Sequence, residues 1–349
     1  MKSSITSLQA GRAFAALMVV FYHLNLFILP QRLYDGQHLH TVFNFGYAGV
    51  EFFFALSGFI MMFVHREDFG TSSKFGRYVF KRITRIYPVY WLILFALLIA
   101  WAILPGIGPE IYPSAQQMIY DATLLPTQGE PLLNVAWTLQ HEMLFYAIFG
   151  LSICSRRLGM AIFFCWFSAC AMGVLFGGVT PFPASFVFSP YNLIFLFGML
   201  AALAYRHIPV HAAWTLLVGG VTAFIAIGLG DVYNVLPLSH GHQTVAFGVA
   251  ASLAITGAAA LENMGKLGTP HALKVLGDSS YSLYLIHMPV MVTLAPIFVG
   301  LGLTNWMPLP VTALLFVIAA VSAGLIVHFV FERPLMNFIK TYARPSIPV

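Results

Sequence analysis

Arg12 and His23 lie in the first strongly apolar segment of the chain, with ten residues between them. Eleven residues of α-helix turn about 1100°, within ~20° of three full turns, so both side chains would lie on one face about 16.5 Å apart. An imidazole can act as a general base near neutral pH, and a guanidinium can bind a phosphate or a carboxylate. The pair predicts a cleft with an arginine at its mouth and a base deeper inside. A snorkelling arginine near an unrelated packed histidine explains the same spacing.

Two glutamates are expected close to the level of His23. Glu51 lies near the start of the second apolar segment, and Glu142 lies near the start of the fourth. A carboxylate beside an imidazole can fix its tautomer and raise its basicity, as general-base catalysis requires. Each glutamate can instead be a structural hydrogen-bonding group between helices, and this alternative is stronger for Glu51 than for Glu142.

Lys81, Arg82 and Arg85 end a basic stretch that precedes the third apolar segment. Arg82 and Arg85 are three residues apart, so they share one helical face. Together with Lys81 they form a group that can bind phosphates. An ordinary anchor of basic residues beside anionic lipid has the same composition, so both interpretations stay open.

The ninth apolar segment begins with a polar stretch in which Asp278 or Ser279 is a candidate helix N-cap. His287, about nine residues further on, would reach the middle of the membrane. There it either lines the same cleft as the histidine of the first segment or is a structural partner of it. His141 and His328 are interpreted as packing or hydrogen-bonding residues.

The composition requires elements that cross a membrane. Of the 349 residues 59% are hydrophobic and 8% are charged, whereas a soluble domain carries about 25% charged residues. The chain is therefore predicted to be an all-α polytopic transmembrane bundle of about ten helices, each long enough for ~30 Å of hydrocarbon. Cys154, Cys165 and Cys170 form no CxxC pattern and are interpreted as buried apolar thiols. The predicted spans are Ala13–Leu29, Gly46–Val64, Tyr87–Leu104, Val135–Ile153, Leu158–Phe176, Tyr191–Tyr205, Ala212–Leu229, Thr244–Leu261, Tyr281–Gly300 and Leu309–Phe331.

Basic residues indicate the orientation. If the N-terminus is cytoplasmic, Arg12 lies at the cytoplasmic mouth of the first span and only Arg32 is left on the outer side, which predicts cytoplasmic termini. This asymmetry explains the net charge of +5 without nucleic acid as a partner. The loop His65–Ile86 is then cytoplasmic, and the outer loop Pro105–Asn134 is expected to dip back as a partly helical lid. The other basic residues assigned to the cytoplasmic side are Lys2, Arg66, Lys74, Arg77, Lys81, Arg82, Arg85, Arg156, Arg157, Arg206, Lys266, Lys274, Arg333, Lys340 and Arg344.

Five motifs, in this order, resemble the membrane-embedded acyltransferase-3 family. They are Arg12 and His23 with ten residues between them; Gly49–Phe54 leading to Ser57-Gly58-Phe59; Arg82–Pro88; Trp137-Thr138-Leu139 with Glu142 and Tyr146; and Tyr281–His287. The resemblance covers about residues 5–338 of a single membrane-embedded domain, 1–349, with no appended soluble domain. The motifs are most similar to those of the branch that acetylates exopolysaccharides.

The resemblance implies transfer of an acyl group, usually acetyl, from cytoplasmic acyl-CoA (acetyl-CoA) to a hydroxyl of an extracytoplasmic or lipid-linked glycan, such as exopolysaccharide or O-antigen. It implies a bacterial inner membrane, contact with the lipid bilayer, glycan-synthesis partners and no metal. His23 would be the essential base or a transient acyl carrier, with Arg12 as its partner and Glu142 as an important acid. Asp is frequent in the family where Glu51 stands, and another polar residue is frequent where His141 stands. The remaining implied site residues are Lys81, Arg82 and Arg85 for the CoA end, and Glu51, Ser57, Trp137, Tyr284 and His287 as substrate-binding or supporting groups, with Tyr or Ser of the ninth span as oxyanion donors.

Two other functions fit a membrane bundle with a polar interior. In a transporter or a flippase for a glycan precursor, His23, Glu51 and Glu142 would form a polar pathway. In a receptor or assembly subunit they would be structural. We find no inverted repeat of broken spans, which favours the enzyme over a transporter. Binding of CoA separates the enzyme from both alternatives.

Overall fold

The computed structural model describes residues 5–103, 113–177 and 180–342, and all regular secondary structure in these ranges is helical, as predicted. π-Helical segments extend α1 and α13 over Leu24–Leu33 and His328–Glu332, and a 3-10 helix over Thr41–Ala48 leads into α2. Lys2, Arg344 and the first part of the predicted outer loop lie outside the described residues. The helices are α1 (Ser7–His23), α2 (Gly49–His65), α3 (Phe75–Ile103), α4 (Ala115–Thr123), α5 (Trp137–Cys154), α6 (Arg156–Phe176), α7 (Ala184–Val187), α8 (Pro190–Ala204), α9 (Val210–Val232), α10 (His240–Asn263), α11 (His271–Asp278), α12 (Ser280–Gly300), α13 (Leu309–Val327) and α14 (Arg333–Tyr342).

Nine helical stretches within the described ranges are long and apolar enough to cross a membrane. They correspond to nine of the ten predicted spans. The remaining prediction, Val135–Ile153, coincides with α5, in which Gln140, His141 and Glu142 lower the hydropathy. The protein is a multi-pass membrane bundle of about ten helices, as the sequence predicts. The side of the membrane on which its termini lie stays a prediction.

Helices α2 and α10 lie at the centre of the bundle. In the span Thr41–Asp68, which contains α2, 61% of the most apolar stretch is buried, and in α10 the share is 72%, against 22% in α9. The peripheral helices present large apolar side chains outward, as a lipid-facing surface requires. Cys154 and Cys165 are exposed and Cys170 is buried, so the expectation of buried thiols is right only for Cys170.

Helix α3 begins earlier than the sequence suggests. The expected loop His65–Ile86 contains short turns up to Lys74, but α3 runs from Phe75 through Pro88 to Ile103. The basic residues from Arg77 to Arg85 are therefore on a helix and not on a loop, with Arg77 and Lys81 exposed and Arg82 and Arg85 partly buried. The prediction failed because the first three turns of α3 are amphipathic and too polar to be recognised as part of a span.

The predicted helical segment of the outer loop is confirmed in α4. Ser114 caps its start by accepting a hydrogen bond from the Gln117 amide at 3.2 Å. Three aromatic side chains of α3 hold its last turn: the Tyr87 hydroxyl donates to the Thr123 carbonyl, the Tyr90 hydroxyl to that of Asp121, and the Trp91 indole to that of Ala122, at 2.7–2.8 Å. These donors lie roughly 18–24 Å along α3. The segment therefore dips back beside α3.

Two glycines let α2 approach α8 closely. A Cβ on Gly198 would lie 1.8 Å from the Ala55 carbonyl oxygen, and one on Gly58 would lie 2.1 Å from that of Phe195. Small residues permit this backbone approach between membrane helices. The contact fixes α2, and with it the polar residues that α2 turns toward the centre of the bundle.

Gly198→Val should lower the melting temperature in detergent by several degrees. The added side chain must push α2 away from α8, and overpacking of this kind costs about 1–3 kcal/mol. The matched control is Gly219→Val on α9, where no atom lies within 4 Å of an added Cβ. Equal melting temperatures for the two variants would contradict this account of the packing.

Candidate active site

A cavity of about 1110 Å³ lies between α1, α2, α3, α5, α12 and α14. The exposed side chains of Arg77, Phe80 and Lys81 line it near the start of α3, and Met336 and Ile339 of α14 contribute to the same wall. We call this end of the bundle the basic end. The volume exceeds the ~300–1,000 Å³ of most small-molecule sites, so the cavity can hold a ligand of nucleotide-derivative size.

The cavity collects most of the residues that the sequence singles out. Seven of them line it: Arg12, Ser57, Lys81, Arg82, Arg85, Glu142 and Tyr284. The other four, His23, Glu51, Trp137 and His287, are not part of its lining. The predicted site therefore has two levels, a cavity and a histidine level beyond it.

Arg82 is held over the face of a tyrosine. Its guanidinium carbon lies 5.5 Å from the centre of the Tyr146 ring, and its Nη1 donates to the Met61 sulfur at 3.5 Å. Its Nε is buried and has no hydrogen-bond partner among the described residues. Because an aromatic face stabilises a cation without using its N–H groups, Arg82 keeps donors for an anionic ligand.

Arg85 is held by an aromatic face and by a glutamate that the sequence reasoning missed. Its guanidinium carbon lies 5.4 Å from the centre of the Tyr281 ring, and its Nη1 pairs with Glu332 Oε1. Glu332 is 1% exposed, and its Oε2 accepts from Ser282 Oγ at 2.7 Å and from His328 Nδ1 at 2.9 Å. The four-residue spacing of His328 and Glu332 was the signal available in the sequence, and it marks a π-helical turn, a geometry frequent at functional sites.

Arg12 completes a group of three arginines. Its Nε donates to Ser280 Oγ at 2.9 Å, which ties α1 to the first residue of α12. No ion pair joins Arg12 to a carboxylate among the described residues. Five basic side chains and a single carboxylate, that of Glu142, occur among the described lining residues, so the cavity favours a polyanionic ligand.

Glu142 accepts hydrogen bonds from two hydroxyl groups. The sequence proposed it as a partner of His23, but the two residues are not hydrogen-bonded. Glu142 Oε1 accepts from Ser57 Oγ at 2.8 Å and from the Tyr146 hydroxyl. Glu51 lies on another face of α2 with 1% of its surface exposed, and its Oε2 has no partner among the described residues. The expected pairing of a carboxylate with His23 is therefore wrong, since neither carboxylate hydrogen-bonds to the imidazole.

A second histidine takes the place of the expected carboxylate. His287 Nδ1 lies 3.2 Å from the Leu283 carbonyl oxygen, so it carries a proton, and His287 Nε2 is an acceptor 3.2 Å from His23 Nδ1. His23 Nδ1 also lies 2.9 Å from the Val19 carbonyl oxygen, so its proton is shared between two acceptors. These assignments follow from the carbonyl partners. They leave the lone pair of His23 on Nε2, on a ring that is half-buried.

Two helices connect the cavity with the histidine pair. Ser280, Tyr284 and His287 are spaced i, i+4 and i+7 on α12, so they form one stripe. Arg12 and His23 share a face of α1, and each contacts this stripe, at Ser280 and at His287. The predicted shared face is thus confirmed.

Aromatic rings separate the two levels. The Tyr284 ring centre lies 5.8 Å from that of Phe53 and 6.0 Å from that of His287. Phe53 and Tyr284 both line the cavity, and Tyr284 also contacts His287. We call these two rings the roof of the cavity. The Tyr284 hydroxyl lies 3.0 Å from Thr138 Oγ1 and donates to the Val135 carbonyl at 3.2 Å.

Trp137 has a scaffolding position. Its ring packs 5.0 Å from that of Tyr191 and 6.3 Å from that of Phe54. His141, one turn further along α5, pairs through Nδ1 with Asn192 Oδ1 at 3.0 Å. These contacts join the start of α5 to α2 and α8.

Comparison with known proteins agrees with this architecture. The acyltransferase-3 family, described as an acyltransferase domain, matches residues 5–328. The chain belongs to this family. It is therefore an enzyme, an O-acyltransferase. Glu332 lies outside the matched range.

Three relatives illustrate the family. The exopolysaccharide production protein ExoZ of Rhizobium meliloti (strain 1021) is 30% identical over 315 residues, which cover 86% of this chain and 92% of ExoZ. The acyltransferase MdmB of Streptomyces mycarofaciens is 27% identical over 96% of this chain and 92% of its own length. YrhL of Bacillus subtilis (strain 168), named as a candidate peptidoglycan O-acetyltransferase, is 25% identical over 84% of this chain and 49% of its own length. No solved structure matches significantly.

Glu332→Ala should destabilise the fold. It leaves Arg85 without its carboxylate and removes the acceptor of two further hydrogen bonds, and breaking a buried pair costs about 3–5 kcal/mol. We expect a melting temperature clearly below that of the control Asp278→Ala, which breaks the more exposed Lys274–Asp278 pair and should cost about 1 kcal/mol or less. Similar melting temperatures for the two variants would show that the Glu332 cluster is not a structural anchor.

Proposed function

We propose that this enzyme transfers an acyl group, most often acetyl, from cytoplasmic acyl-CoA to a hydroxyl of a glycan on the other side of the membrane. The observation that carries the proposal is the arrangement of three arginines in a large cavity with a histidine pair beyond its roof. A phosphate-bearing donor fits the cavity, and a base fits the level beyond it.

The donor end of the site supports CoA. Arg82 and Arg85 are held over tyrosine faces, and Lys81 and Arg77 extend the positive charge toward the entrance. Guanidinium groups bind phosphates with two parallel hydrogen bonds, which an ammonium cannot do. The pantetheine arm would then run past Arg12 toward the roof, over a distance of the same order as the ~16.5 Å that separates Arg12 from His23 along α1.

His23 is the general base in this mechanism. Its Nε2 takes the proton of the acceptor hydroxyl while that oxygen forms a bond with the thioester carbon. The tetrahedral intermediate collapses with cleavage of the C–S bond, and the leaving thiolate takes the proton back from His23. His287 Nε2, 3.2 Å from His23 Nδ1, stabilises the imidazolium that exists between the two proton transfers.

Tyr284 has two tasks in this scheme. Its hydroxyl donates to the Val135 carbonyl in this structure, and it would turn that proton to the oxyanion of the tetrahedral intermediate. Its ring, together with that of Phe53, separates the cavity from the histidines, so both rings must turn aside when the thioester reaches His23. Glu142, through Ser57 and Tyr146, positions the wall opposite this opening.

The orientation follows from the positive-inside rule, which assigns the basic end to the cytoplasm. We place the enzyme in a bacterial inner membrane, where acyl-CoA is available on one side and a surface or lipid-linked glycan on the other. The name of ExoZ refers to exopolysaccharide production, and that of YrhL to O-acetylation of peptidoglycan. Enzymes of glycan synthesis are the expected partners. A transporter would use the polar interior but has no need of a phosphate-binding cavity that ends at a roof.

His23→Ala should reduce transfer from radiolabelled acetyl-CoA to extracted surface polysaccharide at least 10²-fold, the lower range of the effect of losing a general base. Binding of acetyl-CoA should remain, because His23 does not line the cavity. His211→Ala, an exposed histidine on α9, is the control and should retain full activity. Full activity of His23→Ala in purified protein would rule out this mechanism.

The double variant Arg82→Ala/Arg85→Ala should weaken acetyl-CoA binding by at least a hundredfold. Each arginine offers charge-assisted hydrogen bonds worth about 1.5–3 kcal/mol. Calorimetry on protein in nanodiscs measures the dissociation constant directly. Arg157→Ala, an exposed arginine of α6, should bind like the wild type. If the double variant folds and binds CoA normally, the two arginines serve only as membrane anchors.

A further inference from the structure

The half-buried face of His23 continues into a second group of residues that does not line the cavity. The His23 ring centre lies 5.1 Å from that of Tyr22 and 5.7 Å from that of Phe27. Tyr22 packs 5.8 Å from Tyr47, which belongs to the 3-10 helix before α2. We call Phe27, His23, Tyr22 and Tyr47 the aromatic strip.

The aromatic strip ends in a polar cluster. The Tyr47 hydroxyl donates to Asp231 Oδ2 at 2.7 Å and accepts from Gln243 Nε2 at 2.8 Å. Asp231 lies in the last turn of α9, and Gln243 lies in the first turn of α10. Three separate elements therefore converge on one phenol, at the end of the bundle opposite the basic end.

The strip and its polar end are accessible, unlike the core around them. Tyr22, Tyr47, Asp231 and Gln243 are half-buried, and Phe27 is 37% exposed. The loop between α9 and α10, residues 233–239, is exposed throughout. The residues from this end of the bundle to His23 thus form a partly exposed path, which we call the lane.

The polar end keeps hydrogen-bonding capacity for a ligand. Asp231 uses Oδ2 for Tyr47, so Oδ1 remains as an acceptor, and Gln243 uses its amide nitrogen, so its amide oxygen remains. Both atoms accept hydrogen bonds from hydroxyl groups. Flat aromatic faces beside a few fixed acceptors form a surface that matches a sugar ring, which has C–H faces and hydroxyl edges.

The charge of this end is opposite to that of the cavity. The Asp231 carboxylate belongs to the polar end itself and supplies its negative charge. A further anion beside the half-buried Asp231 carboxylate is disfavoured by repulsion between like charges. The lane therefore suits a neutral sugar and disfavours a uronic acid or a sugar phosphate.

We propose that the aromatic strip and the Tyr47–Asp231–Gln243 cluster bind the acceptor glycan through a neutral sugar unit, next to the unit whose hydroxyl reaches His23. This assignment rests on the proposed function and adds the position and the charge class of the acceptor. The bound sugar stacks on Tyr22 and Tyr47, and its hydroxyl groups donate to Asp231 and Gln243. The hydroxyl that reacts points toward His23 Nε2.

Steady-state kinetics with Tyr47→Phe, Asp231→Asn and Gln243→Ala test the assignment, with radiolabelled acetyl-CoA and polysaccharide extracted from cells that lack the gene. We expect the KM for polysaccharide to rise at least tenfold in Asp231→Asn and Gln243→Ala and severalfold in Tyr47→Phe. The KM for acetyl-CoA should stay within twofold of wild type. Tyr233→Phe, a 54% exposed tyrosine of the neighbouring loop, is the matched control and should behave like wild type.

The outcomes separate this assignment from the proposed function. If the wild type transfers acetyl groups and all three variants keep a normal KM for polysaccharide, the acceptor binds elsewhere. An equal rise of both KM values would indicate a structural defect and would also overturn the assignment. A wild-type enzyme that transfers nothing would overturn the proposed function, and the acceptor site with it. Melting temperatures in detergent identify variants that fail to fold, and Asp231→Glu then replaces Asp231→Asn, with the same KM criterion applied.

The charge class has its own test. The neutral 4-nitrophenyl β-D-glucopyranoside should inhibit wild-type transfer to polysaccharide at least tenfold more strongly than the anionic 4-nitrophenyl β-D-glucuronide. In Asp231→Asn the difference should shrink to less than threefold. Equal inhibition of the wild type by the two compounds, or inhibition by neither, would overturn the argument from charge.

Discussion

The structure depends on how a membrane protein keeps three arginines in its interior. A charged side chain inside the bilayer is tolerated when it faces a cavity and has partners. Here Tyr146 and Tyr281 supply aromatic faces to two guanidinium groups, and Ser280 supplies a hydroxyl to the third. These partners come from α5 and α12. The cavity therefore lies where the three arginines meet the two helices that supply their partners.

Helices α1 and α12 connect the cavity with the histidines. Two side-chain hydrogen bonds join α1 to α12, one between Arg12 and Ser280 and one between His23 and His287. Because both contacts use one face of each helix, the distance between them is fixed by helix geometry and not by flexible loops. A long, thin substrate arm is suited to such a path. The rings of Phe53 and Tyr284 lie on this path between the cavity and the histidines.

The sequence predicted what is periodic or local, and it failed where partners are far apart along the chain. Helical spacing was sufficient to place Arg12 and His23 on one face and to find the spans. The pairing of Arg85 with Glu332 joins residues 247 positions apart, and that of His23 with His287 joins residues 264 apart. His287 was expected in the same cleft as His23 or as a structural partner, but no local pattern showed that it would take the position expected for a carboxylate, and none identified Glu332. The early start of α3 was missed because its amphipathic turns face a cavity that only the fold creates.

The two ends of the bundle differ in charge. The cavity holds five basic side chains against one carboxylate among its described residues, whereas the lane beyond His23 ends at Asp231 above the buried Glu51. This difference favours the two proposed ligands, because a phosphate-bearing donor is attracted to the first end and repelled by the second, whereas charge does not exclude a neutral glycan from the second. Since the roof keeps the two ligands apart, they can meet only at His23. In the proposed mechanism each substrate enters by a separate path and only the acyl group passes between them, so the protein need not alternate between inward-open and outward-open states.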